Sequence, residues 1–190
     1  MSKSPADLTE SQLDSEAVFD GVLLHVKRDR VSLPDGSTGT REYIVHPGAV
    51  AILPLFDDGR ILLERQYRYP LAQVLIEIPA GKIDPGESTE ATAKRELLEE
   101  TGYVATQWSY MTTIHPVCAY STERVEIWLA RGLKQAGGQR LDTGEFLETF
   151  ILPVQEALEW VRDGRVSDVK TIIAIQWAEK ILNGSWPTQE

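Results

Sequence analysis

Three carboxylates, Glu96, Glu99 and Glu100, crowd the stretch Arg95-Glu96-Leu97-Leu98-Glu99-Glu100-Thr101-Gly102. At about 100° per residue, a helix puts Glu96 and Glu100 one turn apart on one face, with Glu99 in the same sector. Like charges so placed disfavour an isolated helix, and a divalent cation among them offsets the repulsion. An all-oxygen donor set favours Mg²⁺ or Mn²⁺ over zinc. Just upstream runs Gly81-Lys82-Ile83-Asp84-Pro85-Gly86-Glu87, where glycine and proline let the backbone double back. Glu87 and backbone carbonyls near Ala80 can then face the same cation. The plain alternative is a solvated acidic face partly neutralised by Lys94 and Arg95.

These residues need a scaffold. Ser88–Thr101 reads as a helix with Ser88 or Thr89 as cap, Glu90 in the first turn and Gly102 as terminator. Alternating apolar residues around Phe19–Leu33 and Arg41–Val45, separated by Pro34-Asp35-Gly36, predict a hairpin or meander. Ala49–Phe56 and Arg60–Tyr67 flank Asp57-Asp58-Gly59, a hairpin signal. Val74–Ile78, Trp108–Thr113, Arg124–Arg131 and Glu145–Leu152 are further strands, with a loop at Gly137-Gly138. Residues 154–162 and 167–183 read as helices, the second capped by Ser167 and stopped at Asn183-Gly184. The expected fold is α/β, a layered α/β/α arrangement around a mixed sheet of at least seven strands. Residues 1–16, rich in Ser, Asp and Glu, read as a flexible tail; 17–47 as amino-terminal antiparallel strands; 48–190 as the main domain.

With 19 Lys+Arg against 29 Asp+Glu, the formal charge of −10 would repel the phosphates of a long nucleic acid or an anionic membrane surface. Neither is an expected partner. A small phosphorylated substrate remains compatible, because a metal ion reverses the local field. The single cysteine, Cys118, cannot close an intramolecular disulfide and reads as a small buried residue; with no apolar run of signal-peptide type, a cytoplasmic setting is expected. His25, His46 and His115 share no metal-ligand spacing. Tyr67, Tyr69, Trp108 and Tyr110 are candidates for stacking on a base, although strand aromatics more often fill cores.

Gly81, Glu87, Arg95-Glu96, Glu99-Glu100 and Gly102 together resemble, position by position, the box of the Nudix hydrolases, which cleave nucleoside diphosphates linked to another group. The resemblance implies the Nudix fold. It implies Glu96 and Glu100 as direct Mg²⁺ (or Mn²⁺) ligands, Glu99 as a ligand directly or through water, and the Ala80 carbonyl as a further ligand. Glu87 and Arg95 would hold loop and helix in register. Tyr103 stands where the box usually ends in an aliphatic residue.

Flanking segments are similar to the ADP-ribose pyrophosphatase branch: His46-Pro47-Gly48-Ala49-Val50, Glu64-Arg65-Gln66-Tyr67-Arg68-Tyr69-Pro70 and Glu77-Ile78-Pro79-Ala80-Gly81. His115-Pro116-Val117 replaces the Ser-Pro-Gly usual there. The branch implies Mg²⁺-dependent hydrolysis of ADP-ribose to AMP and ribose 5-phosphate by a homodimer. Alternatives are another nucleoside diphosphate sugar, such as GDP-mannose, or a related ADP compound, and a non-catalytic nucleotide-binding module of the same fold. Arg65 and Arg68 are candidates for a guanidinium fork on the diphosphate. Glu77 is a candidate substrate contact, and so is Arg41, because in this branch the amino-terminal strands cross to the partner subunit. A loop glutamate is the branch's expected base. Here that is Glu145, which Gly144 lets swing inward; Glu99, Asp142, Glu148 and Glu123 are competitors.

Overall fold

The structure is a computed structural model that describes residues 7–186. The chain divides into two compact units, one ending at Pro47 and taking in Val117–Glu123, the other comprising Gly48–Pro116 and the chain from Arg124 onward.

The first unit is an antiparallel meander of β1 (Ser11–Asp20), β2 (His25–Ser32) and β3 (Thr38–Val45). Asp35 Oδ1 accepts from the Ser37 N–H at 2.9 Å in the β2–β3 turn, where Gly36 takes φ 83°. The expected tail is corrected here, since Ser11–Glu16 belongs to β1. Its acids are half of a cross-strand charge pattern: Arg30 binds Asp14 at 2.6 Å, and Arg28 binds Glu16 at 3.0 Å and Glu42 at 2.7 Å. Residues 1–6 of that tail lie outside the described residues. Cys118, expected to be buried, is exposed on the segment Val117–Glu123.

The second unit contains β4 (Ala49–Pro54), β5 (Arg60–Arg68), β6 (Gln73–Glu77), β7 (Ala80–Lys82), α1 (Thr89–Thr101), β8 (Tyr103–Val104), β9 (Gln107–Ile114), β10 (Val125–Arg131), β11 (Lys134–Gln135), β12 (Leu147–Pro153), α2 (Val154–Arg162) and α3 (Val169–Leu182). A mixed sheet runs β7-β4-β10-β9, with β4 and β10 parallel, and an antiparallel sheet runs β12-β5-β6. The strands expected in one sheet are therefore shared among three, these two and the meander of the first unit. The Asp57-Asp58-Gly59 turn joins strands linked only by the Leu55–Ile61 bridge. Both edges of β4 are taken by β10 and β7, and both edges of β5 by β12 and β6, so no long hairpin forms.

Side-chain alternation makes β4 the middle layer. Val50 and Ile52 pack with Ala93 and Leu97 of α1, whereas Ala51 and Leu53 join the cluster containing Ala174, Ile175 and Ala178 of α3. This is the α/β/α layering. Ser88 Oγ accepts from the Ala91 N–H at 3.2 Å, a cap of about 1 kcal/mol. Gly102 ends the helix at φ 73°. Asp168, not Ser167, caps α3, because its carboxylate accepts from both the Thr171 N–H at 3.0 Å and its hydroxyl at 2.6 Å. Among the described residues no helix is long and apolar enough to cross a membrane.

Candidate active site

The site grows from β7 and α1. The Ala80 N–H donates to Glu100 Oε2 at 3.0 Å, fastening the strand to the helix. Beside it, the Glu96 carboxylate occupies the volume that a side chain on Gly81 would fill. Arg95 is the organiser. Its guanidinium donates to Glu87 at 2.9 and 3.2 Å, Glu96 at 2.7 Å, Glu99 at 3.1 Å and the Lys82 carbonyl at 3.4 Å. Glu87 also accepts from the Thr92 hydroxyl at 2.9 Å. Loop and helix are thus clamped at both ends of one guanidinium.

The segment 136–145 folds back onto the carboxyl end of α1. The Arg140 N–H donates to the Glu99 carbonyl at 2.7 Å, Gln139 Nε2 to the Glu100 carbonyl at 2.7 Å, and the Ala136 and Gly137 N–H groups to the Gly102 carbonyl at 2.9 and 3.2 Å. A side chain at Gly102 would strike the Gly137 carbonyl. These bonds satisfy carbonyls that a helix end leaves open. They also bring Glu145 to the acids of the helix, where it accepts from the Asp142 N–H at 3.3 Å and faces Gln66 Nε2 at 3.5 Å.

Alternation along β5 decides the rest. Ile61 and Leu63 face the core beneath α2 and α3, so Glu64, Gln66 and Arg68 share the opposite face. Arg68 makes a two-pronged pair with Glu77 at 2.6 and 2.8 Å. Glu77 is buried and also binds Lys170, which holds Asp168 at 3.1 Å. A cavity of about 300 Å³ results, lined by the carboxylates of Glu96, Glu99, Glu100 and Glu145 together with Arg68 and Arg140. Ala80, Gly81, Lys82 and Asp142 complete its wall.

Burial pushes Glu100 well above the usual carboxylate range, and the neighbouring Glu64, Glu96 and Glu145 add to it. Burial likewise raises Glu96, against the pull of Arg95. Glu64, only 1% exposed, is driven up to about 8 by burial and by Glu77. At Glu77 burial acts upward, but hydrogen bonds and charge from Arg68 and Lys170 outweigh it, and its pKa is lowered. One oxygen of Glu64, Oε2, is buried with no hydrogen-bond partner. Crowded, desolvated carboxylate oxygens are the donor chemistry of a hard divalent cation. Among the described residues, no three acidic, imidazole or thiol side chains stand already closed around one point. Glu96 and Glu99 are instead engaged by Arg95.

The NUDIX domain pattern matches residues 45–172. The chain belongs to the Nudix family. Residues 10–44 match the nucleoside diphosphate sugar hydrolase N-terminal domain. The Nudix chain is 39% identical over 173 residues to the ADP-ribose pyrophosphatase of Bacillus subtilis (strain 168), covering 90% of this chain and 94% of that one. It is 37% identical over 171 residues to the methanol dehydrogenase activator of Bacillus methanolicus, covering 90% and 92%. A crystal structure of an ADP compounds hydrolase superposes with a TM-score of 0.83 at 25% identity, over 97% of this chain and 98% of that one.

Of the residues expected in the Nudix site, Ala80, Gly81, Glu96, Glu99, Glu100, Arg68 and Glu145 line one cavity, and Glu77, Glu87, Arg95 and Gly102 brace it. Arg65 is not brought in. An odd position on β5, it stacks over the Phe150 ring at 4.0 Å and reaches Glu148 at 3.3 Å, so a fork with Arg68 fails on strand parity. Arg41, on β3 of the other unit, binds Glu10. Sequence reasoning passed over Arg140, which lines the cavity, Lys170, which binds Glu77, and the buried Glu64. For Glu64 the available signal was an acid on the same strand face as the apolar Leu62.

Proposed function

We propose that this Nudix protein hydrolyses the diphosphate of ADP-ribose to AMP and ribose 5-phosphate, with Mg²⁺ or Mn²⁺ held by the box. The observation that carries the reading is the cavity itself, in which Glu96, Glu99, Glu100 and Glu145 stand beside Arg68 and Arg140. The names of the similar ADP-ribose pyrophosphatase and ADP compounds hydrolase support the substrate class.

Glu96, Glu100 and the Ala80 carbonyl would hold the cation, with Glu99 joining directly or through water. When bound, the cation offsets the carboxylate charge, lowers the pKa of water and stabilises the oxygen that leaves. Arg68 orients the diphosphate, its own guanidinium being aligned by Glu77. Glu145, presented by the loop anchored on α1, takes the proton from the attacking water as it adds to phosphorus and the bridging P–O bond breaks. Glu99 is the second candidate for that proton.

Self-association through the first unit belongs to the same reading. Val18, Phe19, Val22, Leu23 and Leu24 are all exposed there, an apolar surface suited to a second copy of the chain. Its lone Cys118 is compatible with a reducing cytoplasm.

The test is a panel of ADP-ribose, GDP-mannose, NADH and diadenosine polyphosphates with Mg²⁺ or EDTA, read by product chromatography. ADP-ribose should turn over fastest and only with the cation. Equal turnover in EDTA would refute the cation requirement. The match of residues 10–44 is to nucleoside diphosphate sugar hydrolases as a class, so the second reading is another sugar of that class, and preferential GDP-mannose cleavage would select it.

A further inference from the structure

Glu64 has no place in the Nudix box, yet it is the most deeply buried acid of the site. It is 1% exposed, and its Oε2 lacks any hydrogen-bond partner. It sits on β5 in register with Glu77 of β6 and on the strand face shared by Gln66 and Arg68. The charged groups facing it are Glu77, Lys170, Arg68 and Glu145, and it is in turn an acidic neighbour of Glu100.

Two cations reach this cluster, but both are already committed. Arg68 spends both prongs on Glu77, and Lys170 is shared between Glu77 and Asp168. A buried carboxylate with an open oxygen is costly unless a positive charge compensates it. Apolar neighbours occupy the same strand, so an aliphatic side chain at position 64 would suit the packing better. The acid therefore needs a reason other than the fold.

We propose that Glu64 is a positioning residue for the divalent cation, a buried carboxylate beside the box whose negative charge, carried when the cation is bound, strengthens cation binding there. The inference rests on the cation reading above. Glu64 does not line the cavity, so it acts through Glu100 rather than by touching substrate. Charge inside a desolvated wall is weakly screened, and outer partners of metal ligands typically change affinity by about 10- to 100-fold.

The experiment titrates the full chain with Mn²⁺ alone, reading free ion by electron paramagnetic resonance, for the wild type, Glu64→Gln, Glu64→Val and Glu100→Gln. Glu64→Gln keeps shape and removes charge. It should weaken Mn²⁺ binding about 10- to 100-fold, as should Glu64→Val, with circular dichroism unchanged. Native Mn²⁺ affinity in Glu64→Gln overturns the proposal, and native affinity in Gln with loss in Val assigns the residue to packing instead. Loss of Mn²⁺ binding in Glu100→Gln with native affinity in both Glu64 variants overturns this inference alone. Absence of Mn²⁺ binding by the wild type overturns the cation reading as well.

Discussion

The Glu96 carboxylate lies directly against the Cα of Gly81, in the space a methyl group would need. Gly81→Ala must therefore push Glu96 off the wall it shares with Ala80 and Glu100. Displacements of about 1 Å in such sites cost about 100-fold in rate. A loss of that order in kcat with the fold intact is expected, measured by ADP-ribose turnover and circular dichroism. Native turnover would mean that the carboxylate's position is irrelevant.

A raised carboxylate pKa makes stability fall as pH rises. Below the ordinary value of 4.5, Glu64 carries its proton folded or unfolded, and its ionisation costs nothing. Between 4.5 and about 8 the unfolded chain releases the proton while the folded chain retains it, so stability declines across that window and levels off above it. In EDTA, Glu64→Gln should gain thermal stability over the wild type as pH goes from 5 to 8. Melting curves that stay parallel would contradict this.

Arg68→Ala removes the guanidinium that faces the cavity. A charged hydrogen bond is worth about 1.5–3 kcal/mol, so KM for ADP-ribose should rise about 10- to 100-fold. Arg65→Ala, which loses a ring contact with Phe150 and a surface pair with Glu148, should leave KM within about twofold. Steady-state kinetics of the two variants separate the roles, and equal effects would refute the assignment by strand parity.

Loss of the proton acceptor shows in kcat. Glu145→Gln should lower kcat about 100-fold or more while KM and Mg²⁺ dependence stay close to native. An unchanged kcat would transfer the role to Glu99.

Light scattering at micromolar concentration should give twice the chain mass, because Phe19 and Leu23 are 57% and 62% exposed on the first unit. A monomer mass would refute the dimer.

Local chemistry was legible where it is written in neighbouring residues. The α1 helix, its Ser88 cap and its Gly102 stop follow from short-range signals, and so does the placement of Glu96, Glu99 and Glu100 on one sector. Partnership across the chain was not. Asp14 and Glu16 read as tail residues because Arg30 and Arg28, which bind them, lie beyond a turn. Arg65 and Arg68 both read as candidates for the diphosphate, the resemblance favouring Arg68, and strand parity separates them. The burial of Glu64 follows only once β5 is known to be covered on both edges and both faces.

Most of the bonds that tie segment 136–145 to α1 run from main chain to main chain. Such contacts are blind to side-chain identity, so residues such as Arg140 and Asp142 can be exchanged while the strap keeps its path. Substrate preference can thus drift by point substitution along this strap without disturbing the acids beneath it. A library randomised at 140 and 142 would sample new leaving groups on an unaltered hydrolytic machine.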